Sequence, residues 1–364
     1  MGSYSYNSIL LNGKEVTIQS ILSGTAYPQS DFESHTIEFI RDWLNGVTKF
    51  TLRTSGSTGE PKPITITRDQ MTSSAKATEQ ALDLKPGYRS LICLDTRFIA
   101  GKMLIARCLV TDMWMEVQEP RRNPFTDLRD SHQIDFVALV PYQVEEILES
   151  PKAKLLNKIR TVIIGGAQLN QSAADKLKAY CCRAYLTYGM TETISHIALN
   201  PLTEQTETNV FEALPGIVIG VDSRGCLAIK APYLTDEVVT NDLVEILSSK
   251  KFRWLGRWDN VINSGGFKVN PEKVEFQIEK TLRSLNVDRR FFIAGIKDIK
   301  AGEVVVLFME GPPDDGLAID LLNRLKVQLE RHENPRRVIF FSTFRYTATN
   351  KLDRKASLQA FLEE

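Results

Sequence analysis

Apolar positions recur along this chain with two periods, and the two periods alternate. Over residues 31–45, Ile37, Ile40, Trp43 and Leu44 share one helical stripe, and Asp31 stands where it can cap the start. Lys49-Phe50-Thr51-Leu52 reads as a short strand, and the segment from Arg68 towards Leu84 reads as a helix. Short apolar runs follow at 90–94, 136–141, 161–166 and 184–189. Helical patterns separate them at 102–110, 142–148 and 172–180. Such alternation predicts an α/β fold with a mostly parallel, layered sheet. From about 211 to 246 the pattern changes to short strands and turns. A boundary falls at Gly256-Arg257-Trp258-Asp259-Asn260. Beyond it the pattern predicts a compact α+β module. Its helices are 271–285, with proline in the first turn, and 320–332. Its strands are 291–296, 304–309 and 337–341, with a turn-rich connection over 309–318. The expected division is a domain over 1–255, a hinge at 256–260 and a second domain over 261–364. No internal repeat or low-complexity tract is visible.

At 364 residues the chain is long enough for two such domains. A formal charge of zero argues against a non-specific nucleic-acid or membrane-surface binder. No apolar run approaches the roughly 20 residues that span a bilayer. The first residues lack the basic and apolar regions of a secretory signal, and Tyr6 breaks the myristoylation pattern. None of the five cysteines forms a C-x-x-C pair, and the four histidines do not cluster with them. A reducing cytoplasm is the expected location.

Four stretches carry candidate chemistry. Thr54-Ser55-Gly56-Ser57-Thr58-Gly59-Glu60-Pro61-Lys62 alternates hydroxyls with glycines and ends in a lysine. Glycines free the backbone, so hydroxyls and amide N–H groups can converge on an anion such as a polyphosphate. The spacing does not match the P-loop of NTPases. Gly165-Gly166-Ala167 follows an apolar strand and lets a flat ligand approach the backbone. Tyr188-Gly189-Met190-Thr191-Glu192-Thr193 ends a strand in a glycine turn, with a hydroxyl and a carboxylate next; Glu192 could hold Mg²⁺. The bland alternative there is a helix start capped by Thr191. Tyr346-Thr347-Ala348-Thr349-Asn350-Lys351-Leu352-Asp353-Arg354 places a lysine on a polar turn near the C-terminus.

Together, in order and spacing, these stretches resemble the adenylate-forming superfamily of acyl-CoA synthetases, peptide-synthetase adenylation domains and luciferases. The resemblance runs from about residue 30 to 362. It implies that Thr54, Ser55, Gly56, Ser57, Thr58, Gly59 and Lys62 hold the β- and γ-phosphates of ATP. Gly165, Gly166 and Ala167 would lie along adenine and the acyl group. Tyr188 would stack on adenine, with Gly189 and Met190 beside it in the nucleotide site. Glu192 and Thr58 would hold Mg²⁺. Asp242 and Arg257 would bind the ribose hydroxyls, and Asp259 would be the hinge of a mobile C-terminal domain. Lys351, with Thr191 and Glu192, would form the catalytic group, and Gly266 would line the path of coenzyme A. The implied reaction is attack of a carboxylate on the α-phosphate, giving an acyl-adenylate and pyrophosphate, followed by thiol attack.

The glycine-rich stretch starts early for this superfamily, so a truncated N-terminal domain is expected. That short form is similar to the o-succinylbenzoate–CoA ligases of menaquinone biosynthesis. Arg97-Phe98-Ile99-Ala100-Gly101-Lys102-Met103 with Arg107, and Thr191 to Ala198, carry the local resemblance. The implied acid is a keto diacid on an aromatic ring, whose second carboxylate needs cations or hydroxyls. Lys102, Arg107, Ser195 and His196 are the candidates for that pocket. Alternatives are another acyl-CoA synthetase, an enzyme that loads a carrier-protein thiol, or a catalytically silent nucleotide-binding protein. A second subunit could cover an apolar surface left by truncation, giving a homo-oligomer. Asn350, Asn260 and Asn241 depart from the residues usual in the family at those places.

Overall fold

The computed structural model describes residues 6–53, 63–180, 182–203, 209–346 and 352–363. Thr54, Ser55, Gly56, Ser57, Thr58, Gly59, Lys62 and Lys351 lie outside the described residues. The chain forms two compact units. One comprises Met1–Ile219, Ile229–Val238 and Leu247–Phe252; the other comprises Gly220–Ala228, Val239–Ile246 and Arg253–Glu364. Two segments before residue 256 therefore group with the C-terminal part.

The first unit opens with β1 (Ser8–Leu11), β2 (Lys14–Thr17), α1 (Ile18–Ser23) and α2 (Asp31–Leu44). Ser30 caps α2, its hydroxyl accepting from the Glu33 amide, so Asp31 is the first helical residue rather than the cap. Next come β3 (Lys49–Arg53), β4 (Pro63–Thr67), α3 (Arg68–Leu82), β5 (Arg89–Ile92), α4 (Ile99–Thr111) and β6 (Trp114–Val117). Then follow β7 (Phe136–Leu139), α5 (Pro141–Leu148), β8 (Thr161–Ile164), α6 (Gln171–Leu177), β9 (Arg183–Gly189), β10 (His196–Pro201) and β11 (Val210–Ala213).

Pairing runs β11-β10-β9-β8-β7-β5-β6-β1-β2. The six central strands from β9 to β1 are joined by parallel pairs. Parallel strands covered on both faces read as unbroken apolar runs. Phe136–Leu139 and Thr161–Ile164 are buried at every position. Val144 and Ile147 of α5 and Leu177 of α6 belong to the same core cluster as Val137, Val162 and Ile164. β3 and β4 form a separate antiparallel pair, with Arg53 opposite Pro63. The glycine-rich stretch thus connects two paired strands, where a strand followed directly by a helix was expected.

Strands β12 (Val218–Val221), β13 (Cys226–Lys230), β14 (Val238–Ile246) and β15 (Lys251–Arg257) pair in that order. The second unit continues with β16 (Ile262–Ser264), β17 (Phe267–Val269), α7 (Pro271–Ser284), β18 (Phe291–Asp298), β19 (Gly302–Glu310), α8 (Asp315–Leu325), β20 (Val338–Phe341) and α9 (Arg354–Glu363). Side chains on β19 alternate between two cores, as a pleated strand requires. Val305, Leu307 and Met309 join Val274, Ile278 and Leu282 of α7 and Leu321 and Leu325 of α8. Val304, Val306 and Phe308 join Phe292, Phe344 and Phe361. Helix α8 spans 315–325, where 320–332 was expected. Asp314 caps it by accepting from the Leu317 amide, inside the stretch expected to be only turns.

Candidate active site

The carboxyl ends of neighbouring parallel strands carry two of the candidate stretches. Gly165 and Gly166 follow β8, and Tyr188 and Gly189 close β9, its parallel neighbour. Ligands of open α/β sheets bind at such strand ends. A side chain at Gly165 would sit 2.1 Å from the Thr187 hydroxyl, so only glycine lets the two stretches approach this closely. Gly166 has φ +90°. Gly166 and Ala167 are exposed, and Tyr188 is half-buried against Phe211 and Phe252 at ring-centroid distances of 5.7 and 5.2 Å.

Gly189 faces the first residues of β10. A Cβ there would lie 2.4 Å from both the His196 Cα and the Ser195 carbonyl oxygen. Gly189→Ala should therefore displace the Ser195-His196 backbone and cost roughly 1–3 kcal/mol, the usual range for forced overpacking. A denaturant melt checks this, and an unchanged midpoint would refute the close approach. Met190 leads into a 3₁₀ turn over Thr191–Thr193. Thr193, not Thr191, supplies the capping hydroxyl: it accepts from the Met190 amide at 3.0 Å. Glu192 on this turn is exposed. The next residue, Ile194, is buried with φ +69°. A β-branched residue there stores strain of order 1–3 kcal/mol, as strained backbone at functional sites does. The turn thus aims Ser195 and His196 into the fold.

What they meet is Arg107, which is only 2% exposed. Its Nη2 donates to Ser195 Oγ at 2.5 Å and to His196 Nδ1 at 3.3 Å. Its Nε donates to Thr78 Oγ1 at 3.3 Å. His196 Nε2 lies 3.2 Å from the same Thr78 oxygen, which itself donates to the Ser74 carbonyl. With Nδ1 accepting, His196 is neutral and protonated on Nε2. Burial and the adjacent guanidinium both hold its pKa well below 6.5. Burial also lowers Arg107, to about 10, so it remains charged at neutral pH. Among the described residues no carboxylate pairs with Arg107.

The structure does not bring Lys102 to this cluster. Its ammonium sits 4.8 Å from the centre of the Phe39 ring, on the α2 side, half-buried and with its pKa lowered by burial. Five residues along a helix turn through about 500°, so Lys102 and Arg107 cannot share a face of α4. Thr78 was not anticipated from the sequence; it sits on α3 with nothing local to mark it.

In the second unit Asp242, Arg257 and Asp259 come together. Arg257 grips Asp259 with Nε at 2.8 Å and Nη2 at 2.7 Å. Its hydrogen bond and charge hold the Asp259 carboxyl below its usual value. Arg257 Nη1 is 4.0 Å from Asp242, which also accepts from Trp254 Nε1 at 3.1 Å. Asp242 is buried. Gly265 and Gly266, at φ +60° and +86°, make the two-residue turn between β16 and β17. A Cβ on Gly266 would meet nothing within 4 Å.

No group of three or more histidine, cysteine or acidic side chains among the described residues could hold a metal alone. Mg²⁺ is commonly bound by one or two carboxylates with phosphates completing the shell. The exposed Glu192 carboxylate fits that kind of site. Among the described residues no helix is long and apolar enough to cross a membrane.

Known proteins resemble this chain in sequence and fold. The AMP-binding enzyme family matches residues 50–221, which hold the glycine stretches and the Arg107 cluster. The 2-succinylbenzoate–CoA ligase of Lactococcus lactis is 25% identical over 322 residues, 84% of this chain and 69% of that protein. The o-succinylbenzoate coenzyme A synthetase of Bacillus subtilis, solved with ATP and magnesium, shares the fold. Its TM-score is 0.71 at 21% identity, over 85% of this chain and 69% of that one. The acyl-CoA synthetase (AMP-forming)/AMP-acid ligase II-like protein of Dyadobacter fermentans is 39% identical, covering 93% of this chain and 97% of its own, with a TM-score of 0.62. With that identity along almost the whole length of both chains, this chain belongs to the AMP-binding enzyme family, as an AMP-forming acid–CoA ligase.

Proposed function

We propose that the enzyme joins an aromatic diacid, o-succinylbenzoate or a close analogue, to coenzyme A through an acyl-adenylate. The observation that carries the choice of acid is Arg107. A buried cation normally has an anion beside it, because desolvation without pairing is costly. This one has only hydroxyls and a neutral imidazole as described partners. A carboxylate entering beside half-buried Ser195 would complete the pair with charge-assisted hydrogen bonds. The acid would then be held at one carboxylate and react at the other. The curated relatives named 2-succinylbenzoate–CoA ligase support this reading.

ATP, Mg²⁺ and coenzyme A are the remaining reactants and cofactor. Thr54 to Lys62 would bind the outer phosphates, Gly165 to Ala167 and Tyr188 to Met190 the base, and Asp242 with Arg257 the ribose. Mg²⁺, on Glu192 and Thr58, would offset charge on the phosphates. Lys62 and Lys351 would neutralise charge that gathers as the carboxylate attacks the α-phosphate. Asp259 would act as the hinge that swaps the face of the C-terminal domain between half-reactions, with Gly266 on the thiol's path.

The test is pyrophosphate exchange into ATP with a panel of acids, followed by thioester formation with free coenzyme A. Exchange is expected to require an added acid and to be fastest with aromatic diacids. Exchange equally fast with monoacids would reject the diacid assignment. Thioester formation only on a carrier protein would reject coenzyme A as acceptor.

A further inference from the structure

The described residues on either side of the stretch that contains Lys351 are well fixed. Tyr346 and Leu352 form a β-bridge, and the Asp353 amide donates to the Arg345 carbonyl at 2.8 Å. On the entering side, Tyr346 Oη accepts from Arg290 Nη1 at 2.8 Å and donates to Glu310 at 3.2 Å. On the leaving side stands Arg354, the first residue of α9 and three residues beyond Lys351. Its Nη2 donates to Glu275 at 2.7 Å. Glu275 is on α7 and also accepts from the Ile293 amide at 2.7 Å. Burial pushes this carboxyl up to about 7 despite the guanidinium.

A second α7 carboxylate completes the arrangement. Glu272 is 8% exposed, and its Oε1 lies 3.9 Å from Arg354 Nη1. The same oxygen accepts from Asn260 Nδ2 at 2.6 Å. Asn260 directly follows Asp259. Gly256, at φ +140°, also rests on Glu272: a Cβ there would lie 2.5 Å from its Oε2. Glu272 therefore meets both the segment around Asp259 and Arg354, while Glu275, one turn on along the same helix, meets Arg354 alone of the two. Arg354 Nη1 and Glu272 Oε2 are buried, with no hydrogen-bond partner among the described residues. Such atoms are expensive to leave unmatched unless the geometry is needed for something else.

We propose that Glu272 and Glu275 are positioning residues for Lys351, acting through Arg354, with Asn260 linking the segment around Asp259 to Glu272. This rests on the functional reading above, in which Lys351 serves only the adenylating half-reaction. A lysine displaced by an ångström loses most of its effect on the α-phosphate, a misplacement that typically costs about 10²-fold.

The experiment compares the full-length protein with Arg354→Ala and Arg354→Lys in both half-reactions. Arg354→Ala should lower kcat for acid-dependent pyrophosphate exchange about 10²-fold. KM for ATP and acid, and thioester formation from supplied acyl-adenylate, should stay within about threefold. Arg354→Lys keeps one ion pair and should recover about tenfold of the exchange rate. If Arg354→Ala does not fold, the lysine variant decides, with about a tenfold loss confined to exchange. Equal losses in both half-reactions, or none in a folded variant, would overturn the proposal. A wild-type protein inactive in exchange with every acid would defeat the functional reading and this inference with it.

Discussion

Lys351→Ala is expected to lower acid-dependent pyrophosphate exchange by about 10²–10³, the usual effect of losing one well-aimed electrostatic donor. Thioester formation from supplied acyl-adenylate should stay within about threefold. The asymmetry follows from where charge develops. Attack of a carboxylate on the α-phosphate brings two anions together, and an ammonium at the bridging oxygen relieves the repulsion. Thiol attack on the finished adenylate releases AMP from a carbonyl carbon and has no need of that ammonium. Rapid mixing with synthetic adenylate separates the two steps. Parallel losses in both would mean that Lys351 has no such selective role.

The parallel core was legible because its strands are covered on both faces. Phe136–Leu139 and Thr161–Ile164 are apolar or fully buried throughout, and no helical stripe competes with them. Elements with mixed patterns were harder. Pro63–Thr67 runs straight into α3 with Thr67 as its cap, so strand and helix share one stretch of threonines. The opening hairpin carries a local sign: Asn12-Gly13, at φ +47° and +79°, is the favoured two-residue turn. Helix α8 begins earlier than its apolar pattern suggests, because the turn signals of Gly311-Pro312-Pro313 run directly into the cap at Asp314.

The candidate site divides the same way. Glycines at the ends of β8 and β9 are marked by their own sequence, because close approach demands them locally. The Arg107 cluster is not: Arg107 lies 88 positions from Ser195 in the chain, and only the folded sheet brings α4 to the start of β10. Lys102 looked equivalent to Arg107 because both lie on one basic helix. The turn of that helix separates them, one against the Phe39 ring and one in the interior.

Arg107→Met would divide the two roles that a buried guanidinium can have. If it binds the substrate's second carboxylate, kcat/KM for o-succinylbenzoate should fall by about 10²–10³, since breaking a buried hydrogen-bonded charge pair costs 2–5 kcal/mol. The loss should lie mainly in KM, because the distal carboxylate is held alike in ground and transition states. A monocarboxylic aromatic acid should react within about threefold of its wild-type rate. The fold should hardly notice. No described carboxylate loses its partner, and methionine fills most of the arginine's volume while removing a desolvated charge. A melting temperature within about 3 °C of wild type is the expected result. A residue that served only as an internal pin would behave oppositely in the kinetics: both acids would suffer alike, because the loss of the common donor to Thr78, Ser195 and His196 does not depend on which acid is bound.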